Sequence, residues 1–240
     1  MKDDGIFGPI VGASRDRTLV IGQFGQSLDG RIATATGESK YINGCEGLDH
    51  LHRLRSVVDA VLIGASTAVT DDPGLDVRRV EGSSPARVVI DPGGRVPASL
   101  RLFRDDGVRR IVVIGEDAAP CLPDGVEVIR LPLPEAGFAP HAIVAALSDA
   151  GLRRILVEGG ARTVSRFIDA GALDRLHLIV APVLLGDGPT GICLTQERSL
   201  AERLRPATRL FPLGGDVLFD CDFGGSRRHG EQVQMADVEA

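Results

Sequence analysis

Apolar positions in this 240-residue chain fall in short β-branched runs, separated by polar stretches that carry Gly and Pro. TLVIGQF (18–24), DAVLIG (59–64), RVVID (87–91), IVVIG (111–115), VEVIR (126–130) and Ile155–Val157 each read as a strand. So do the apolar part of LHLIVAPVLLG (176–186), which runs into a loop, and VLFDCDF (217–223), the last strand. Between them Leu48, Leu51, Leu54 and Val58 recur at helical spacing, and His141–Leu147 reads as a helix. Another helix starts after Glu158, with Val164, Phe167 and Ile168 on one face. This alternation predicts an α/β sheet, largely parallel at its centre. No helix intervenes before the last segments, so an antiparallel edge pair is expected. Residues 18–223 read as a single domain, 1–17 as a flexible leader and 224–240 as a polar, disordered tail.

Composition narrows the function. A net charge of −6, no Trp and one Tyr give neither the electrostatics nor the stacking platform of a nucleic-acid binder. The four cysteines, Cys45, Cys121, Cys193 and Cys221, form no CxxC pair, which suits reduced thiols in a cytoplasm better than a zinc site or a disulfide framework. His50 and His52 would leave a helix on different sides, a poor arrangement for a metal. No apolar run reaches membrane-spanning length, and the acidic start is a poor secretion signal. Lys2 and Lys40 are the only lysines, so Arg is the default base and a single Arg says little.

Polar clusters follow the strands. In RRILVEGGARTVSRF (154–168), Glu158 stands at a strand's carboxyl end, where open α/β sheets place ligands. Gly159 and Gly160 allow a tight turn into a helix whose positive end suits an anion such as phosphate. A desolvated Glu158 suits proton handling. Thr67 suits an amide or phosphate and Asp71 a ribose hydroxyl, although Asp71-Asp72-Pro73-Gly74 is also good turn chemistry. Arg55 with Arg78 would match a phosphomonoester, while Arg55 equally complements a helix C-terminus. Ser39 suits a phosphate or sugar, and the Tyr41 ring a ligand's flat face.

Taken in order, SLDGRIAT-x-x-GESKYI (27–42), the helix ending LR (54–55), DAVLIGASTAVTDDPGLDVR (59–78), VVID (88–91), LVEGG (156–160) and LD–L-x-L-x-V-AP-x-LLG (173–186) resemble the reductase of riboflavin biosynthesis. The resemblance implies a dihydrofolate-reductase-like fold: a mixed, mostly parallel sheet flanked by helices. It implies NADPH-dependent reduction of a ribosylamino-pyrimidine 5′-phosphate to the ribitylamino compound, in a cytoplasmic homodimer. By the same resemblance Ser39, Arg55, Leu75, Arg78 and Glu158 fall at substrate positions, with Glu158 as the catalytic group and Arg55 and Arg78 on the 5′-phosphate. Gly25, Tyr41, Thr67 and Asp71 fall at cofactor positions. Gly159 and Gly160, whose bond such folds often hold cis, lead into Ala161, Arg162, Thr163, Val164, Ser165 and Arg166, the segment expected to wrap the NADPH phosphates. No metal is implied.

The sequence departs from that family in places. There is no H-x-E with a later PCxxC, so deamination is expected on another polypeptide or after this step, and either the amino or the diamino pyrimidine fits. Gln23 stands where Lys is expected, Tyr41 where Trp is common, and Pro92 where a small polar residue is usual. Gln23 leaves room for a reductase of another heterocycle, a pteridine or a pyrimidine of a secondary pathway. A catalytically silent nucleotide-binding homologue would have no reason to keep both half-sites.

Overall fold

Valine and isoleucine, stiff at χ1 and well fitted to a pleated surface, fill the central strands. The computed structural model describes residues 4–40, 42–195, 199 and 203–224. Its strands are β1 (Leu19–Ser27), β2 (Ala60–Gly64), β3 (Ala86–Ile90), β4 (Arg110–Gly115), β5 (Glu127–Leu131), β6 (Arg154–Glu158), β7 (Arg175–Ala181), β8 (Ala207–Leu213) and β9 (Asp216–Asp222). They form one sheet in the order β5-β4-β3-β2-β6-β1-β7-β9-β8. Pairing is parallel from β5 through β7, and β9 runs antiparallel to both β7 and β8. The expected architecture, antiparallel edge included, is the observed one. β8 was not anticipated: its residues are mostly exposed and Pro212 interrupts the run, as an edge strand permits.

Helices cover both faces. α4 (Pro140–Asp149) and α5 (Ala161–Asp169) bury Ile143, Leu147, Val164 and Phe167 against Val20, Leu62, Val88 and Val157. On the other face α1 (Asp4–Val11), α2 (Cys45–Val57) and α3 (Ala65–Asp71) cover Ile21, Val61, Val89 and Leu156. Because β6 lies between β1 and β2, the chain reverses its direction of travel across the sheet there. The carboxyl ends of β1, β6 and β2 therefore border a crevice of the kind that holds ligands.

The leader expected over residues 1–17 is not a loose segment where it is described. Residues 4–11 are helical in spite of Gly5, Gly8 and Pro9, and Ile6, Phe7 and Ile10 are buried. Burial of that apolar stripe outweighs the poor propensity. Residues 1–3 and 225–240, most of the expected tail, lie outside the described residues. The stretch between β2 and the turn residues Asp72-Pro73-Gly74 is α3, ended by Asp72 in the left-handed conformation.

Under α1 sits a buried polar group. His50 Nε2 lies 2.9 Å from His177 Nδ1, and His177 Nε2 lies 3.4 Å from Asp220 Oδ1. Arg175 and Arg209 also engage the Asp220 carboxylate. Burial, and then the electrostatic effect of the neighbouring His177, lowers the His50 pKa to about 3. Between pH 3 and 6.5 the unfolded chain therefore binds a proton that the folded one refuses, and stability falls as pH drops. Denaturant unfolding is expected to lose about 2 kcal/mol from His50 between pH 7 and pH 5. A stability unchanged over that interval, or equally pH-dependent in His50→Leu, would contradict this.

Candidate active site

The site is assembled where β6 ends. Gly159 and Gly160 have φ of +68° and +29°, and a Cβ at either would come within 2.7 Å of the Thr67 side chain. Conformation and space thus both demand glycine, and the bend lies against α3. The Gly159–Gly160 peptide is trans, where the resemblance implied cis. Thr163 approaches α3 from the other side: a Cβ on Gly64 would lie 2.9 Å from its Oγ1. The starts of α3 and α5 are consequently in close apposition.

Glu158 faces α2. That helix starts at Gly44, whose amide donates to Asp216 Oδ2 at 2.8 Å, and it buries Leu54 completely. This places Arg55, in its last turn, over the end of β6. Arg55 Nε and Nη2 donate to the two Glu158 oxygens at 2.7 and 2.6 Å, and Nη1 donates to the Asp76 carbonyl at 3.0 Å. Both side chains are 6% exposed. Burial alone would lower the Arg55 pKa, but the Glu158 carboxylate outweighs it and raises it. The fork expected to grip two phosphate oxygens here grips two carboxylate oxygens. Gln23 stands beside Glu158 in register on β1 and is buried as well.

Leu75, buried with φ +52°, turns the chain from Pro73-Gly74 toward Arg78. The Arg78 amide donates to His52 Nδ1 at 3.1 Å, and its half-exposed guanidinium donates to Asp76 Oδ1 at 2.7 Å. Asp76 also pairs with Arg104 at 3.3 Å. Burial pushes its carboxyl up, yet its own amide and the two arginines hold it below the ordinary value. Asp76 is the residue that sequence reasoning missed: its carbonyl and carboxylate tie Arg55 and Arg78 into one assembly. Its position inside GLDVR, between Leu75 and Arg78, was the available signal.

On the α5 side of the sheet a cavity of about 260 Å³ opens, lined by Gly64, Ser66, Ile90, Phe138, Arg162 and Thr163 among others. No side chain caps the α5 N-terminus; the Thr163 amide donates to the Gly160 carbonyl at 2.8 Å, which leaves the Ala161 and Arg162 amides as donors for a ligand. Not all of the expected 159–166 segment takes part. Val164 is fully buried in the core, and Ser165 Oγ accepts from the Cys193 amide. Arg166 borders the cavity while donating to the Ala136 and Phe138 carbonyls, whereas Arg162 is exposed. Ala161 opens the helix.

The remaining expected residues are more dispersed. A Cβ on Gly25 would lie 1.7 Å from Asn43 Oδ1, so any larger residue there would have to displace the Asn43 side chain. Asp71 ends α3; burial raises its pKa and nearby Lys40 opposes the shift. Ser39, the residue before Lys40, is exposed and shares no hydrogen bond with the Arg55–Glu158 pair. Tyr41 lies outside the described residues. Beyond β1, Asp29 accepts from Ser27 Oγ and from the Leu185 and Gly186 amides, in that order of effect, which lowers its pKa to about 2 and joins the loops after β1 and β7. Among the described residues no three His, Cys, Asp or Glu side chains converge as metal ligands would, and no helix is long and apolar enough to cross a membrane.

A mostly parallel sheet with a ligand crevice at its switch point, a diglycine bend and an antiparallel C-terminal edge define a dihydrofolate-reductase-like α/β protein. More narrowly, the chain belongs to the RibD C-terminal domain family, whose model matches residues 18–217. It is 34% identical over 179 residues to the riboflavin biosynthesis protein RibD of Aquifex aeolicus, covering 73% of this chain and 49% of that protein. It is 31% identical over 214 residues to the 2,5-diamino-6-ribosylamino-4(3H)-pyrimidinone 5′-phosphate reductase of Methanothermobacter thermautotrophicus, covering 85% of this chain and 97% of that one. Among solved structures, the deaminase/5-amino-6-(5-phosphoribosylamino)uracil reductase of Thermotoga maritima superposes with a TM-score of 0.74 at 26% identity, covering 87% of this chain and 57% of the other. The chain thus spans about half the length of the RibD proteins it matches.

Proposed function

We propose that this protein uses NADPH to reduce a ribosylamino-pyrimidine 5′-phosphate to its ribitylamino product in riboflavin biosynthesis. The observation that carries the proposal is the buried Arg55–Glu158 pair at the sheet's switch point, beside an uncapped helix N-terminus. The cavity at α5 suits one part of a dinucleotide: its lining is mainly apolar, Gly64 lets a ligand approach the backbone, and the Thr163 hydroxyl with the first amides of α5 offers donors to phosphate. When bound, the reduced nicotinamide supplies hydride to the former anomeric carbon. Arg55 holds Glu158 in one orientation, and the carboxylate favours the cationic, ring-opened imine that must form first. With both oxygens in the Arg55 fork, Glu158 suits the role of fixed anion better than that of acid. Arg78, half exposed, is the better placed of the two arginines for the 5′-phosphate, with Asp76 limiting its rotamers. We assign the reaction to the cytoplasm, where the four free thiols stay reduced.

Anaerobic NADPH oxidation with the amino and diamino substrates side by side tests this, and turnover with at least one of them is expected. Gln23, neutral beside Glu158, favours a second reading in which another heterocycle is reduced. Oxidation with a pteridine, and with neither pyrimidine, would establish that alternative. No oxidation with any of them would mark a silent homologue.

The proposed assembly is a homodimer. Leu178, Phe219 and Leu210 align across β7, β9 and β8, with Val180, Val217 and Pro212 as the next row. Leu210 is 60% and Val217 39% exposed. An apolar sheet face of this kind suits a partner of the same shape. Sedimentation equilibrium should give twice the chain mass, and a monomer at micromolar concentration would refute the dimer.

A further inference from the structure

A second cavity, of about 320 Å³, lies on the far side of Ala65 and Ser66 from the first; Pro92 borders both. Its other wall is the loop after β3. Asp91 opens that loop but turns inward: it is 3% exposed, its Oδ2 accepts from the Val96 amide at 2.8 Å, and its carbonyl accepts from the Gly94 amide at 3.0 Å. The acid that would be placed to bind the ribose hydroxyls of an unphosphorylated dinucleotide is therefore engaged in holding its own loop. Arg95, in the same loop, is exposed and borders the cavity, with no ion pair among the described residues. Its guanidinium lies over Gly93, where a Cβ would come within 2.6 Å of Nε. Glycine keeps that place open.

We propose that Arg95 reads the 2′-phosphate of the cofactor and makes the site selective for NADPH over NADH. The assignment rests on the cofactor reading above and adds the residue that discriminates. A guanidinium fork presents paired donors to a phosphomonoester, and this one is exposed beside a cavity that continues from the proposed dinucleotide site. Asp91 also borders this cavity, but it is buried and its carboxylate accepts from the Val96 amide, which leaves Arg95 as the exposed charge there. Arg162 borders the first cavity instead, so it meets parts common to both cofactors.

The test is binding, with adenosine 2′,5′-bisphosphate and 5′-AMP as probes, read as thermal shift and by titration calorimetry. The wild-type protein should bind the bisphosphate roughly tenfold or more tightly than AMP. Arg95→Ala should bring the two together by weakening the bisphosphate alone, and Arg95→Glu should reverse the preference. Arg162→Ala should weaken both alike. A wild-type protein that discriminates, with an Arg95→Ala variant that discriminates equally, would overturn the Arg95 assignment and leave the cofactor reading intact. A wild-type protein stabilised by neither probe would remove the assignment together with that reading.

Discussion

Arg55→Ala is expected to lower folding stability by about 3–5 kcal/mol, because it leaves the Glu158 carboxylate buried without its cation. The large value follows from geometry: both side chains are 6% exposed, and the contact is bidentate at 2.7 and 2.6 Å. An exposed pair of the same composition would contribute about 1 kcal/mol or less. Denaturant unfolding monitored by circular dichroism measures the loss. Adding Glu158→Gln to Arg55→Ala should recover part of it, since the orphaned charge is then gone. A single-variant loss near that of a surface pair would mean that the two groups are solvated and the site is not closed as described.

Glu158→Gln is expected to lower kcat by about 100-fold, within the range for groups acting directly on a reacting centre. The amide keeps the shape and an acceptor for Arg55 but loses the negative charge that favours the cationic imine. Binding of NADPH, which is assigned to the other face of the sheet end, should change little. Because kcat and kcat/KM for the pyrimidine should fall together, the pattern separates loss of transition-state stabilisation from loss of uniform binding. Turnover within twofold of wild type would demote Glu158 to a structural partner of Arg55.

Much of this was legible in the chain. Strands announce themselves as Val/Ile runs, and six motifs in register carry both the fold and most of the residues around the sheet end. Pairing was not legible. Arg55 and Glu158 are 103 residues apart, and nothing local to either tells that their donors and acceptors match. Arg55 therefore read as a phosphate ligand or a helix-dipole partner, when its fork faces a carboxylate. α1 was missed because Gly5, Gly8 and Pro9 weigh against a helix, whereas the decisive term is burial of Ile6, Phe7 and Ile10 against the rest of the fold. β8 was missed for the opposite reason: it is an edge strand whose pairing with β9 does not need an inward face of its own. The 160–166 segment read as one phosphate-wrapping unit, but helical periodicity divides it. Arg162, Thr163 and Arg166 reach the cavity, while Val164 turns into the core.

The central claim is that the buried ion pair and the diglycine bend serve one site, where hydride passes to a sugar carbon. A single-turnover reaction with NADPH deuterated at the transferable position of C4, under anaerobic conditions with the phosphorylated pyrimidine, tests it most directly. Deuterium recovered on the former anomeric carbon of the ribityl product, slowed in Glu158→Gln, is the expected result. Product lacking the label, or no product from either pyrimidine, would contradict it.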